Sequence, residues 1–112
     1  MDHVKFVLLS ALVLGTQALL AFAVSGDPAR GKDVYEKQCV FCHGAQGNGD
    51  GSLGKSLVPP PANLTKIKAK PDEELLKTIQ NGRPPTAMPA FKAQLSEQEI
   101  QHALAYIRTF SR

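Results

Sequence analysis

The chain has 112 residues, which is enough for one domain, and its composition is that of an ordinary globular protein. Its 13 Lys and Arg residues outnumber its 10 Asp and Glu residues and give a net charge of +3, a surplus too small to indicate nucleic acid as the partner. A domain of this size buries a limited core and often depends on a disulfide, a metal or a cofactor for stability.

The first 23 residues are typical of an export signal. Lys5 precedes an apolar run over residues 6–14, and residues 21–23 form a small-x-small triplet that suits signal peptidase. We predict cleavage after residue 23, which leaves residues 24–112 as a periplasmic domain. The alternative is an uncleaved membrane anchor, because residues 6–24 are 19 positions without a formal charge, almost enough to cross a bilayer.

A helix is predicted directly after this segment. Asp27 is a suitable N-cap residue and Pro28 suits the first turn, so the helix begins here and runs to about Phe41. Gly31 and Tyr35 lie four residues apart and therefore share one face of it.

The end of this helix carries the motif Cys39-Val40-Phe41-Cys42-His43. This C-x-x-C-H pattern is typical of covalent haem attachment, in which both sulfurs form thioethers with the haem and the histidine ligates iron. Positions three apart share a face of a helical turn, so both sulfurs can reach one porphyrin edge.

Other chemistries for the two cysteines stay open at this point. A zinc site needs four ligands and would have to recruit His102, while the adjacency of Cys42 and His43 hinders joint ligation. A redox dithiol belongs near a strand-helix-strand pattern, and no β-branched runs follow residue 24. A structural disulfide would close a very small loop, add little stability and leave His43 without a role.

Five glycines follow His43 between residues 44 and 54. Glycine supplies positive φ angles, so we expect a sharply turning loop here. The stretch "GNGDG" also suggests a calcium loop, but no run of alternating carboxylates continues it.

Another helix is predicted to begin near Pro71, with three acids in its first turn, and to end at Gly82. Met88 follows in a segment with prolines at positions 84, 85 and 89, which exclude a regular helix and stiffen the backbone. A stiff loop loses little entropy when it holds a thioether at a metal. We therefore predict Met88 as the second iron ligand, and packing into a core gap is the alternative.

The last helix begins with a capping box at residues 96–99 and continues as an apolar stripe to about Phe110. His102 lies within this helix, and we predict a solvated helix residue rather than a ligand. No segment after residue 24 predicts a strand, so the fold class is all-α.

With these motifs the chain resembles the class I cytochromes c, in particular the short bacterial periplasmic branch that includes cytochrome c subunits of respiratory oxidases. The resemblance rests on Gly31 and Tyr35, the segment from Cys42 to Thr65, "PDEELLKTIQNG", "TAMPAF" and "LSEQEIQHALAYIRTF". It implies three main helices and loops wrapped around one covalently bound haem c. It also implies packing of Gly31 against Tyr106 and a proline carbonyl, assigned to Pro59, that accepts the free N–H of His43.

The resemblance implies a monomeric one-electron carrier between respiratory or dehydrogenase partners, with His43 and Met88 as axial iron ligands. Basic residues of the central region would attract an acidic face on the redox partner; they are Lys55, Lys66, Lys68, Lys70, Lys77, Arg83 and Lys92. One alternative is a haem subunit held permanently in a larger oxidase or dehydrogenase complex. Another is an enzyme with an open iron position, which would require Met88 to be absent from iron.

Overall fold

A computed structural model describes Gly15 and residues 26–112. The predicted export segment otherwise lies outside the described residues. Four α-helices follow in chain order: α1 Pro28–Gln38, α2 Val40–His43, α3 Asp72–Asn81 and α4 Glu97–Ile107. Single 3₁₀ turns occur at Gly54–Ser56, Leu64–Lys66 and Arg108–Ser111. The described part of the chain contains no strand, which confirms the all-α prediction.

Within residues 26–112, no helix combines the length and the apolar character needed to cross a bilayer.

Helix α1 starts as predicted but ends earlier. The Asp27 carboxylate accepts from the Ala29 N–H at 2.9 Å, and Pro28 occupies the first turn. The helix was predicted to reach Phe41, but it stops at Gln38 because Cys39 has a φ of −119°. Backbone hydrogen bonds still cross this break, from the Cys39 N–H to the Tyr35 carbonyl at 2.8 Å and from the His43 N–H to the Cys39 carbonyl at 2.9 Å. The chain therefore keeps a near-helical path into α2.

Helices α1 and α4 cross at Gly31. A Cβ atom at this position would overlap the backbone carbonyl oxygen of His102 and lie 3.0 Å from the Tyr106 Cβ atom. Beside the crossing, the rings of Tyr35, Tyr106 and Phe110 pack edge to face, with centroids 5.3, 5.2 and 5.1 Å apart. The predicted packing of Gly31 against Tyr106 is confirmed.

The prediction of a solvated His102 is wrong, because this side chain is only 8% exposed. Its ring lies against the start of α1, where Nδ1 accepts from the Asp27 backbone N–H at 2.7 Å. An N-cap residue leaves its own N–H outside the helix ladder, and the buried imidazole satisfies that donor. His102 thus has a structural role at the α1–α4 contact.

Helix α3 is joined to the carboxyl end of α4 through one arginine. The sequence predicts Pro71 in the first turn of α3, but Pro71 is the N-cap residue and the helix begins one position later, at Asp72. Gly82 ends the helix with a φ of +68°. The Arg108 guanidinium donates to Asp72 Oδ1 at 2.8 and 2.6 Å, and to the backbone carbonyl oxygens of Ile67 and Lys70 at 3.0 and 2.5 Å. These contacts fix the segment before α3 against the end of α4.

Gly31→Ala tests the crossing. Alanine favours an isolated helix by about 0.5–1 kcal/mol, but here its methyl group meets a backbone carbonyl that cannot move without separating the helices. We expect the free energy of unfolding to fall by about 1–2 kcal/mol, within the usual cost of overpacking, as measured by denaturant unfolding followed by helical circular dichroism. Lys37→Ala, on the exposed side of α1, should change it by less than about 0.5 kcal/mol. An equal or higher stability of Gly31→Ala would contradict this packing.

Candidate functional site

A cavity of about 460 Å³ lies at the centre of the fold, and all four helices contribute to its lining. Its volume falls within the roughly 300–1,000 Å³ typical of cofactor sites. Cys39, Cys42, His43, Pro59 and Met88 all line it. The structure therefore brings together every site residue predicted from the sequence.

The one-turn helix α2 positions Cys39 and Cys42. The N–H groups of Cys42 and His43 both donate to the Cys39 carbonyl, at 3.3 and 2.9 Å, so the turn closes with both sulfur-bearing residues along the cavity. The cysteines are not joined to each other. This arrangement leaves both thiols available for thioether formation.

The Cys39 thiol lies in apolar surroundings. Its burial, with a smaller contribution from repulsion by Cys42, raises the pKa of the Cys39 thiol to about 12. Reactive dithiols and zinc ligands are thiolates, with a pKa held near or below neutral. The environment of Cys39 is opposite to that of a redox dithiol. Within residues 26–112, no three His, Cys, Asp or Glu side chains are grouped so that they could hold a metal ion together.

His43 is held through one ring nitrogen. Nδ1 lies 3.1 Å from the Ala62 carbonyl oxygen, which fixes the tautomer with a proton on Nδ1 and leaves Nε2 free to act as a ligand. Burial lowers the pKa of the His43 imidazole, and the hydrogen bond to Ala62 opposes that shift in part. The neutral ring is the form that binds a metal.

The partner of His43 is Ala62 and not Pro59, which corrects that expectation. Pro59 lines the cavity without making this contact. Two contacts with the preceding loop fix the register of the segment: the Leu64 N–H donates to the Gly47 carbonyl at 2.6 Å, and a Cβ atom on Gly49 would lie 2.7 Å from the Pro61 carbonyl oxygen. These contacts place the Ala62 carbonyl, rather than the Pro59 carbonyl, next to the His43 ring.

The glycine loop, residues 44–54, folds back over α2. Gly44, Gly47 and Gly49 have φ angles of +85°, +77° and +81°, as predicted for this loop. The loop also satisfies the last carbonyls of α2, since the Gly49 N–H donates to His43 at 2.8 Å and the Gly51 N–H to Cys42 at 3.1 Å. These backbone hydrogen bonds thus hold Cys42 and His43 against the glycine loop.

Tyr35 supports the same region and was not identified as a site residue from the sequence. Its side chain is 1% exposed, and its hydroxyl donates to the Gly44 carbonyl at 2.6 Å. Burial raises the pKa of the Tyr35 phenol, so the hydroxyl keeps its proton for this bond. The position of Tyr35 on α1 alone could not distinguish this supporting role from ordinary core packing.

Met88 lies in the strap, residues 83–90, which follows α3. The Arg83 N–H donates to the Met88 carbonyl at 3.2 Å, and the Phe91 N–H beyond the strap donates to the Ile79 carbonyl at 3.1 Å. A Cβ atom on Gly82 would lie 2.6 Å from the Met88 carbonyl oxygen, so glycine is required where the strap turns back on α3. The half-buried Met88 lines the cavity and also packs against the core.

The donor set and the walls of the cavity fit one haem. The thiols of Cys39 and Cys42 suit thioether bonds, while a neutral imidazole and a thioether are the two axial ligands typical of cytochromes c. Apolar side chains supply the walls, as a flat hydrophobic group requires; they include Leu64, Ile67, Ile79, Phe91, Leu104 and Ile107. His102 lies in a different groove, against α1.

Comparison with known proteins agrees with this fit. Residues 26–107 match the family described as cytochrome c oxidase, cbb3-type, subunit III. Cytochrome c-554(547) from Halothiobacillus neapolitanus is 36% identical over 94 residues, which cover 76% of this chain and 98% of that protein. The cbb3-type cytochrome c oxidase subunit CcoP from Azospirillum sp. (strain B510) is 31% identical over 87 residues, which cover 76% of this chain but 29% of that protein.

The solved structure of cytochrome c6 from the diatom Phaeodactylum tricornutum superposes with a TM-score of 0.59 at 25% identity, covering 75% of this chain and 93% of that one. The helical fold, the cavity and these similarities lead to one assignment. The chain belongs to the class I cytochromes c, binds one covalently attached haem c, and carries electrons between redox partner proteins rather than acting as an enzyme.

Proposed function

We propose that Cys39 and Cys42 form the thioether bonds to haem and that His43 and Met88 are its two axial ligands. The observation that carries this assignment is that the four side chains line one cavity with apolar walls. Bound haem supplies a one-electron couple between ferrous and ferric iron. With a ligand from α2 and another from the strap, no coordination position is left for a substrate, which supports a carrier.

The residues around His43 and Met88 keep the two side chains in place when the iron changes between ferrous and ferric. His43 is oriented by the Ala62 carbonyl, and the Met88 carbonyl is held by the Arg83 N–H. Ile67, Phe91 and other apolar walls exclude water. A site whose ligands stay bound in both oxidation states rearranges little on electron transfer, and methionine as the second ligand raises the reduction potential.

We also propose that residues 1–23 are an export signal and that residues 24–112 act as a periplasmic monomer. The apolar run and the small-x-small triplet at residues 21–23 support this. Mass spectrometry of the native holoprotein distinguishes the cleaved chain from the chain with an uncleaved anchor, since a retained anchor adds the mass of residues 1–23.

The partner is proposed to present an acidic docking face. All three acids in the first turn of α3 are already paired, Asp72 with Arg108 at 2.6 Å, Glu73 with Lys77 at 3.1 Å and Glu74 with Lys70 at 3.6 Å. Five cations of the central region have no acidic partner among the described residues: Lys55, Lys66, Lys68, Arg83 and Lys92. This local surplus supports electrostatic steering into a small, transient interface.

A permanent subunit of a larger complex is the second candidate. The description of the matching family favours it, as do three exposed apolar side chains, Phe41 at 52%, Leu53 at 58% and Val58 at 95%. Co-purification of the native protein with a membrane oxidase at fixed stoichiometry would support this candidate. Purification as a single chain with a fully reducible haem supports the carrier.

Met88→Leu tests the second ligand. Because leucine nearly conserves volume, the free energy of unfolding should fall by less than about 1.5 kcal/mol if Met88 only packs. If Met88 binds iron, its replacement abolishes the weak far-red absorption band of the ferric protein and lowers the reduction potential. Leu76 packs against the core and does not line the cavity. The control Leu76→Met should therefore change neither the far-red band nor the reduction potential. An intact band in Met88→Leu would show that Met88 does not bind iron.

Steering is tested by ionic strength. The second-order rate of electron transfer to the native acceptor should fall steeply between about 0.01 and 0.15 M salt, because the Debye length shrinks from about 30 to 8 Å. Lys66→Gln with Lys68→Gln should weaken the salt dependence, whereas Lys32→Gln, whose ammonium lies 3.9 Å from Glu36 on α1, serves as the control. A rate that does not respond to salt would exclude steering by this surface.

A further inference from the structure

The strap has few ways to hold the Met88 backbone. Prolines at positions 84, 85 and 89 have no N–H, and Arg83 and Thr86 are the strap's only residues with polar side chains. The Met88 carbonyl is fixed by the Arg83 backbone N–H at 3.2 Å. The Met88 N–H is directed instead to a side chain, since Thr86 Oγ1 accepts it at 3.3 Å.

The Thr86 hydroxyl is itself oriented. It donates to the Arg83 carbonyl, and the Thr86 N–H donates to the same oxygen at 2.7 Å. With its proton used in this way, Oγ1 presents its lone pairs and can only accept from Met88. The branched Cβ atom further restricts χ1. Arg83, Thr86 and Met88 thus form one closed set of hydrogen bonds inside a loop that otherwise lacks regular structure.

We infer that Thr86 is a positioning residue that keeps Met88 at its ligand position, an inference that rests on the proposed function of Met88. The half-buried Thr86 lines the same cavity as Met88, and its hydroxyl acts on Met88 through the backbone N–H. A thioether is a weak ligand, and its dissociated fraction depends on the freedom of the strap. Loss of the Thr86 hydroxyl releases the Met88 N–H and enlarges that fraction.

Binding of added imidazole to the ferric holoprotein measures this fraction. Imidazole binds where Met88 has left, so its apparent affinity is proportional to the population without Met88. Thr86→Val removes the hydroxyl and conserves shape, and we expect imidazole to bind about fivefold more tightly, the equivalent of one net hydrogen bond. Thr86→Ser keeps the hydroxyl and should stay within about twofold of the parent, a conservative rescue of the kind expected for a single hydroxyl bond.

Thr109→Val is the matched control. Its hydroxyl donates to the Tyr106 carbonyl at 2.6 Å at the carboxyl end of α4, and Thr109 does not line the cavity. This variant loses a bond of the same kind and should leave imidazole affinity unchanged, even where global stability falls. Thr86→Ala, which also lacks the hydroxyl, gives the same imidazole result if the valine variant does not accumulate as holoprotein.

The outcomes separate this inference from the proposal on which it rests. If Met88→Leu abolishes the far-red band but neither Thr86→Val nor Thr86→Ala tightens imidazole binding, Thr86 does not position Met88 and only this inference fails. If Met88→Leu leaves the band intact, Met88 is not a ligand and both fail. Tighter binding in both hydroxyl-free variants, with Thr86→Ser and Thr109→Val unchanged, establishes the positioning role.

Discussion

One constraint organises this fold: a flat apolar haem has to fit a cavity that is lined by two irregular segments far apart in the chain, α2 and the strap. Neither α2, with four residues, nor the strap is stable structure by itself. Each is held by backbone hydrogen bonds to a neighbouring turn, the glycine loop in one case and the end of α3 in the other. The long helices matter chiefly because they fix these two segments relative to each other.

The α1–α4 crossing provides that fixed frame. Gly31 permits the close approach, the three aromatic rings fill the space beside it, and His102 accepts from the backbone N–H of Asp27, the N-cap residue of α1. Because α1 continues through Cys39 into α2, the position of the crossing also sets the position of the haem motif. Arg108 does the same for the opposite wall, since it holds the segment before α3. Rigid placement of the two segments proposed to carry the iron ligands is what a carrier with little rearrangement requires.

Most of this arrangement could be predicted from local signals. The C-x-x-C-H motif, the capping box of α4 and the glycine that ends α3 each depend on residues close together in sequence, and the structure has α4 and α3 capped as expected. The positive φ angles after His43 follow from the absence of a side chain at Gly44, Gly47 and Gly49. Met88 could be selected because it is the only methionine after residue 1 and is followed by proline.

What could not be predicted depends on contacts between distant segments. The choice of Ala62 over Pro59 is set by how residues 61–64 pack against the glycine loop, which no local pattern records. The burial of His102 follows from the exact angle at which α1 meets α4. The break at Cys39 involves neither glycine nor proline, and the Thr86 hydroxyl bond depends on the fold of the whole strap.

The proposed function depends most on a covalent bond between haem and this chain. Extraction of the denatured holoprotein with acidified organic solvent tests it directly, because a thioether-linked haem stays with the polypeptide. We predict that all of the haem colour remains with the precipitated protein, and that a variant with both Cys39→Ser and Cys42→Ser loses whatever haem it binds to the solvent. Transfer of the colour from the unaltered protein into the organic phase would contradict the account.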